Sequence, residues 1–270
     1  MKYLRYGSLP ATAYTGDQRF SFYAHIPPTP SGTIAVLVHG SGRDAESMRA
    51  HFVNWADNTG TILLAPLFPA GILHPLEVDS YKPLAHGGLR YDEVLNGMIN
   101  DIVDWVDVDL EPELLMFGFS GGAQFVHRYL LIHPDRVSAV SIGAPGAVTT
   151  IDPTRNWWVG TRDVEEIFGR SIDLDAIAGM PVQAIIGGDD DGRETINIPP
   201  DSPRWSPGVN DAGTTRRERL RTLATMLTKH GAEVEFVIVP DTTHEVAPMI
   251  ANVQSFFSRV LGDSTATHQN

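Results

Sequence analysis

Short apolar runs recur along the chain and are separated by segments in which polar and apolar residues mix. These runs occupy residues 33–38, 61–67, 114–119, 137–142, 181–186 and 233–239. All six are predicted to be strands, and the runs at 33–38 and 61–67 are typical of strands that a parallel sheet buries on both faces. Residues 19–26 instead alternate aromatic and polar side chains, which predicts a half-buried antiparallel strand.

The segments between these runs have helical spacing. Helices are predicted over residues 46–59, 91–108, 121–133, 216–230 and 246–261. In the second of them Val94, Met98 and Ile102 recur at helical spacing, so they form one apolar face. The alternation of strands and helices predicts an α/β fold with a mostly parallel central sheet and helices on both faces.

One domain is predicted over residues 1–262, because no internal repeat and no change of composition marks a second core. Two stretches do not fit the alternation, at about 144–179 and 192–215. We interpret them as small insertions that cap or border the domain, with a helical portion at 173–178. Residues 263–270 are predicted to be a disordered tail.

Composition narrows the classes of partner. The chain has 270 residues and a formal net charge of −13, which argues against nucleic acid and anionic membranes as partners. It has no cysteine, which removes disulfides, thiolate catalysis and cysteine-ligated metals. No apolar stretch has the length of a membrane span or a signal peptide. We therefore expect a cytoplasmic protein that acts on a small molecule. The sequence does not decide between a monomer and a homodimer.

A G-x-S-x-G pattern joins the run at 114–119 to the helix at 121–133. Its members are Gly118, Ser120 and Gly122. Between a strand and a helix this pattern predicts a nucleophile elbow, a strained turn that projects the serine hydroxyl above the sheet. The alternative is a glycine-rich turn without chemistry, which the flanking strand and helix disfavour. Ser120 is therefore the candidate nucleophile, and it needs a base to take its proton.

Candidate partners for Ser120 follow the last two predicted strands. His244 lies between the final strand and the closing helix, and we predict it as the base, since most other histidines lie within predicted elements or precede the elbow. Asp189, Asp190 and Asp191 follow the strand at 181–186. One of them would orient the imidazole, unless the cluster is a solvated acidic loop.

An acyl-transfer site also needs two N–H donors for the oxyanion. Gly121 follows the nucleophile at a helix N-terminus and is predicted to supply one. Ser41, in the His-Gly-Ser-Gly loop after the first buried strand, is predicted to supply the other. No His-Glu-x-x-His pattern occurs, and we expect neither a metal nor a cofactor.

Aromatic residues are candidates for a substrate pocket. Phe119 precedes the nucleophile, and Trp157, Trp158 and Phe168 lie in the first insertion. We predict that these four line an apolar pocket for the acyl or aryl part of a substrate. The alternative for the three insertion residues is a cap that packs on itself.

These motifs together resemble the α/β-hydrolase superfamily over nearly the whole chain, from about residue 19 to 261. The resemblance is carried by the loop His39-Gly40-Ser41-Gly42, the elbow Gly118-Phe119-Ser120-Gly121-Gly122, Gly187-x-x-Asp190 and Asp241-x-x-His244. Within that superfamily the chain is similar to the polyhydroxyalkanoate-depolymerase-like hydrolases and to small serine carboxylesterases.

The resemblance implies an α/β-hydrolase fold and a catalytic triad of Ser120, Asp190 and His244, and it favours Asp190 over Asp189 as the acid. It implies a serine hydrolase that cleaves a carboxylic ester of a small or medium substrate through an acyl-enzyme intermediate. The same triad can cleave amides, thioesters, lactones or the C–C bond of a β-diketone. A non-catalytic, ligand-binding protein with this fold is the alternative from another class.

Overall fold

The computed structural model describes residues 6–106, 113–193, 196–202 and 204–267, with side chains described up to residue 263. The strands are β1 Gly7–Ser8, β2 Thr12–Ala13, β3 Ser21–Ile26, β4 Ile34–Val38, β5 Ile62–Leu67, β6 Ala85–His86, β7 Leu89–Arg90, β8 Leu114–Phe119, β9 Val137–Gly143, β10 Pro181–Gly187 and β11 Glu233–Val239. The helices are α1 Ala45–Ala50, α2 Val53–Thr59, α3 Tyr91–Trp105, α4 Gly121–Ile132, α5 Val164–Phe168, α6 Leu174–Ile177, α7 Arg216–Lys229 and α8 Ile250–Thr267. Short 3₁₀ turns occupy Pro134–Arg136 and Ala247–Met249.

The central sheet confirms the predicted α/β architecture. Its order is β1-β3-β5-β4-β8-β9-β10-β11, with β2 also paired to β3. Within this sheet the neighbouring strands β5, β4, β8, β9, β10 and β11 run parallel, and β3 pairs with β5 in the antiparallel sense. The chain leaves β4 toward β5 on one side and later returns to β8 on the other. This reversal between β4 and β8 is the topological switch point, where open α/β sheets form their ligand crevices.

The middle of the sheet forms the centre of the core. Every residue of β4 and of β8 is buried, as their uninterrupted apolar sequences predict. Helix α4 is also buried around almost its whole circumference, including His127 and Arg128. A Cβ on Gly122 would overlap the carbonyl oxygen of Val38, so glycine lets α4 begin directly against the end of β4.

The predicted helix over 46–59 is two helices in the structure. The N–H of Phe52 donates to the carbonyl of Arg49, a tightened turn that separates α1 from α2. The break turns the Phe52 ring inward, where it packs within 6.0 Å of Trp55 and 6.1 Å of Phe117, measured between ring centroids. Burial of this aromatic ring outweighs continuous helical hydrogen bonding.

The two insertions pack on each other. Val159 of the first insertion and Ile198 and Val209 of the second form a small buried cluster, with Trp158 packed against it. The first insertion contains α5 as well as α6, whereas the sequence predicted helix only at 173–178. Their role as a cap over one domain stays a prediction.

Helix ends differ from the predictions at two places. Helix α3 ends at Trp105, and the predicted end at 108 lies outside the described residues. Helix α8 continues to Thr267, so positions 263–267, predicted as disordered tail, are helical, and 268–270 lie outside the described residues. Within the described part of the chain, no helix combines the length and apolarity that crossing a membrane requires.

Candidate active site

Ser120 occupies a strained turn between β8 and α4. Its backbone has φ 56° and ψ −108°, a region that costs a non-glycine residue about 1–3 kcal/mol. The Ser120 N–H donates to the carbonyl of Gly143 on β9 at 2.8 Å, which anchors the turn to the sheet. A Cβ on Gly118 would overlap the backbone of Gly122, so both glycines are needed for the turn to close.

Three side chains form a continuous hydrogen-bonded chain at the carboxyl edge of the sheet. His244 Nε2 lies 2.9 Å from Ser120 Oγ, and His244 Nδ1 lies 2.6 Å from Asp190 Oδ2. A carboxylate only accepts, so the proton of a neutral imidazole is on Nδ1 and the lone pair of Nε2 faces the serine hydroxyl. This is the tautomer in which histidine accepts a proton from an attacking serine.

Asp190 is the aspartate that the structure places against His244. It is 2% exposed, whereas Asp189 and Asp191 are exposed and have no described contact with His244. Its other oxygen, Oδ1, accepts from Arg216 Nη1 at 3.2 Å. Burial by itself raises the pKa of the Asp190 carboxyl, but the hydrogen bond from His244 and the nearby Arg216 guanidinium outweigh burial and hold this pKa below its usual value.

Two loops pressed together set the distance between Asp190 and His244. The N–H of Asp189 donates to the carbonyl of Thr242 at 2.9 Å, so the loop after β10 is tied to the loop after β11. The ring of Phe119 packs beside the His244 imidazole with 4.7 Å between ring centroids. The imidazole is therefore positioned by a carboxylate on one side and an aromatic ring on its face.

The two predicted oxyanion donors face each other across a short gap. A Cβ placed on Gly121 would lie 3.3 Å from the backbone nitrogen of Ser41. Gly121 is the first residue of α4, where N–H groups have no intrahelical acceptor. Among the described hydrogen bonds neither N–H has an acceptor, so both can donate to an oxygen beside Ser120.

His39 holds the loop that carries Ser41. Its ring is fully buried, Nδ1 lies 2.7 Å from the carbonyl of Gly40, and Nε2 accepts from the N–H of Phe68 at 3.1 Å. Burial lowers the pKa of His39 to about 4, so the imidazole is neutral and its Nδ1–H donates to Gly40. The residue therefore shapes the loop and takes no proton from a substrate.

The predicted pocket residues have different surroundings. Phe119 lies beside His244, as described above. Trp157 donates from Nε1 to the carbonyl of Pro83 at 2.6 Å, and its ring meets Phe168 edge-on with 5.0 Å between centroids. Trp158 lies against the guanidinium of Arg128, 4.9 Å from the ring centroid. No described contact joins these three residues to Ser120 or His244, and their pocket role stays a prediction.

The sequence did not predict the positions of two groups that lie near the triad. Arg216 follows the N-cap of α7, where Thr215 and Glu218 form a capping box that places its side chain against Asp190. In the sequence it is one of several arginines in a basic helix. Tyr81 and Lys82 lie close to Gly121, but they come from the irregular stretch between β5 and β6.

A cluster away from the triad has the residue types of a metal site. The ligand atoms of Asp92, Glu93 and His133 lie within 4.8 Å of one another, the one such group among the described residues. Arg90 pairs with both carboxylates, at 2.6 Å from Asp92 and 3.4 Å from Glu93. The group therefore has the contacts of an ion-pair network, in which one guanidinium is shared by two carboxylates.

Comparisons with known proteins agree with the fold. No family model matches the sequence, and no curated protein does. The poly(aspartic acid) hydrolase-1 of Sphingomonas sp. KT-1 is similar in structure, with a TM-score of 0.75 and 19% identity over 93% of this chain and 98% of that one. A poly(3-hydroxybutyrate) depolymerase of Bordetella parapertussis has a TM-score of 0.74 and 20% identity, over 94% of this chain and 90% of its own.

An S-formylglutathione hydrolase of Agrobacterium tumefaciens is similar over 95% of this chain and 99% of that chain, with a TM-score of 0.60 and 14% identity. At these identities the likeness shows the fold. The chain has the α/β-hydrolase fold that the sequence motifs implied.

The buried His39 predicts a loss of stability in mild acid. The unfolded chain binds a proton at this histidine near pH 6.5, whereas the folded protein resists it until about pH 4. The contribution is therefore complete above about pH 6.5 and is lost as the pH falls toward 4, at a cost of about 3 kcal/mol. Denaturant titrations between pH 7.5 and 4.5 should show a shallower pH dependence in His39→Asn than in the wild type. Parallel curves would contradict the role assigned to His39.

Proposed function

We propose that this protein is a serine hydrolase that cleaves a carboxylic ester of a small or medium substrate through an acyl-enzyme intermediate. The observation that carries the proposal is the hydrogen-bonded chain Ser120–His244–Asp190 at a strained elbow, with the backbone nitrogen of Ser41 close to Gly121. A buried, ionised acid, a correctly oriented imidazole and a part-exposed serine hydroxyl are the parts that acyl transfer needs.

In the first half-reaction Ser120 Oγ attacks the ester carbonyl while His244 Nε2 takes the hydroxyl proton. Asp190 stabilises the positive charge that forms on the imidazole. The carbonyl oxygen becomes an oxyanion and accepts hydrogen bonds from the N–H groups of Ser41 and Gly121. Each hydrogen bond stabilises the transition state by about 2.7–4 kcal/mol. The C–O bond then breaks, His244 gives its proton to the leaving alcohol, and the acyl group stays on Ser120.

In the second half-reaction water replaces the alcohol. His244 Nε2 takes a proton from the water as the water oxygen attacks the acyl carbonyl. The same two N–H groups stabilise the second oxyanion, and the carboxylic acid leaves as Ser120 recovers its proton from His244. Because His244 is part-exposed beside Ser120, water reaches this position without a movement of the triad.

The names of similar proteins support hydrolysis without choosing the substrate. Poly(aspartic acid) and poly(3-hydroxybutyrate) are the polymers named for two of them, and S-formylglutathione for a third. The proposal commits to carboxylic esters, whose alcohol leaves more readily than the amine of an amide. The proposal also places the enzyme in the cytoplasm with a small-molecule substrate, and the net charge of −13 supports the absence of nucleic acid as a partner.

The direct test is turnover of p-nitrophenyl acetate and butyrate. The wild type should hydrolyse both, and Ser120→Ala should lower kcat by about 10⁴-fold or more, because the variant has no nucleophile. Ser255→Ala is the matched control, since Ser255 is exposed on α8 and bonds only to the carbonyl of Ala251 among the described contacts. Circular dichroism checks that each variant is folded. Absence of turnover in the wild type would favour the ligand-binding alternative.

A pair of neighbouring substitutions tests the acid. Asp190→Asn should lower kcat/KM by about 10³–10⁴-fold, because an amide at this position favours the wrong imidazole tautomer. Asp189→Asn removes the same charge one residue away and should stay within about threefold of the wild type, since Asp189 is exposed. If Asp189→Asn were the damaging substitution, the triad would be assigned to the wrong carboxylate.

A further inference from the structure

A group of charged residues lies close to the two predicted oxyanion donors. We name Arg43, Asp79, Lys82 and Arg204 the rim cluster. Lys82 is its closest member to the site, because a Cβ placed on Gly121 would lie 2.8 Å from Lys82 Cε. The same Cβ would lie 3.3 Å from the backbone nitrogen of Ser41. The rim cluster therefore adjoins the place where a substrate carbonyl would bind.

The rim cluster carries an excess of positive charge. Lys82 and Arg204 share a single carboxylate, since each forms an ion pair with Asp79. Arg43 has no acid among its described contacts. Its guanidinium donates instead to three backbone carbonyls, those of Phe68 at 3.0 Å, Ser41 at 2.8 Å and Val78 at 2.5 Å. Three cations with one carboxylate therefore stand beside the site of a chain whose net charge is −13.

A further cation lies beneath Lys82. Arg128 is fully buried in α4 and donates to the carbonyl of Lys82 at 2.8 Å and to Thr149 Oγ1 at 2.9 Å. Its remaining Nη2 is buried without a hydrogen-bond partner among the described residues. Burial lowers the pKa of Arg128 to about 9, so the guanidinium stays charged at neutral pH. No acid pairs with it among its described contacts, so its charge adds to the positive potential around Lys82.

Exposure within the rim cluster is uneven, with Lys82 nearly buried and Arg204 the most exposed member. The Lys82 side chain is 11% exposed, that of Asp79 24% and that of Arg204 56%. Burial lowers the pKa of Lys82, and the neighbouring Arg204 and Arg43 lower it further, while Asp79 opposes them. A second anion at this place would relieve the repulsion between the three cations.

We propose that the rim cluster binds a carboxylate of the substrate, so that the protein prefers esters that carry an anionic group a few atoms from the scissile carbonyl. The inference rests on the proposed esterase function and names its substrate class. Guanidinium and ammonium groups are the side chains that recognise carboxylates by charge-assisted hydrogen bonds. Arg43 belongs to the loop that carries Ser41, and Arg204 belongs to the second insertion. The cations of the rim cluster therefore come from segments that are distant in sequence.

The test compares two esters of equal acyl length. One is the mono-p-nitrophenyl ester of adipic acid, which is anionic at pH 7.5, and the other is its methyl-capped form, which is neutral. The enzyme-free rate is subtracted from each. The wild type should show kcat/KM at least about tenfold higher for the anionic ester at low salt. That preference should shrink as NaCl rises from about 20 to about 500 mM, because salt screens exposed charges.

Charge variants locate the effect. Lys82→Met and Arg204→Gln should each lower the ratio of the two kcat/KM values by at least about fivefold, and Arg204→Gln tests the idea even if Lys82→Met fails to fold. Asp79→Asn should raise the ratio, because it removes the competing carboxylate, and a purely structural cluster gives no such increase. Arg259→Gln is the matched control, since Arg259 is 56% exposed on α8 and pairs with Glu235.

The possible failures are distinguishable. If the wild type hydrolyses both esters equally well, or if the ratio is the same in all variants, the rim cluster does not bind a carboxylate while the proposed esterase function stands. If neither ester is hydrolysed and p-nitrophenyl acetate is not hydrolysed either, both the rim-cluster proposal and the proposed function are overturned.

Discussion

The start of α4 lies directly against the carboxyl ends of β4 and β8, and glycine at positions 118 and 122 is what permits that approach. The rest of the site depends on this packing. It forces Ser120 into its positive-φ conformation, places the first residue of α4 beside the loop of Ser41, and fixes the hydroxyl at the switch point of the sheet. The strain at Ser120 is balanced by the burial of β8 and of nearly all of α4 around it.

Most of the framework could be predicted because its signals are local. Short, mainly apolar runs predicted β4, β5, β8, β9, β10 and β11, and the G-x-S-x-G spacing predicted where the nucleophile would turn. The sequence could also place Ser120, His244 and the three aspartates at strand ends, because parallel strands bring those ends to one edge. It could not separate Asp190 from Asp189 on physical grounds, since that choice depends on which side chain the loop after β11 buries.

Features that depend on contacts distant in sequence were missed or wrong. The break between α1 and α2 comes from the burial of Phe52 against Phe117, and the pairing of Arg216 with Asp190 comes from the direction in which α7 begins. The sequence also did not indicate that Trp157 packs on Phe168 and bonds to the carbonyl of Pro83, and the pocket role of these aromatic residues stays a prediction. The position of Lys82 could not be predicted, because no pattern in the irregular stretch between β5 and β6 indicates that this residue lies near Gly121 and the loop of Ser41.

Charge is distributed unevenly around the proposed site. Asp190 contacts His244 and is itself paired with Arg216, whereas the rim cluster beside Gly121 has an excess of positive charge. This excess favours negative charge at the oxyanion donors. The central claim is that Ser120 is an activated nucleophile. Incubation with a fluorophosphonate followed by peptide mass spectrometry tests it directly: the account predicts one phosphonyl group on Ser120, and an unmodified Ser120 or a label on another serine would contradict it.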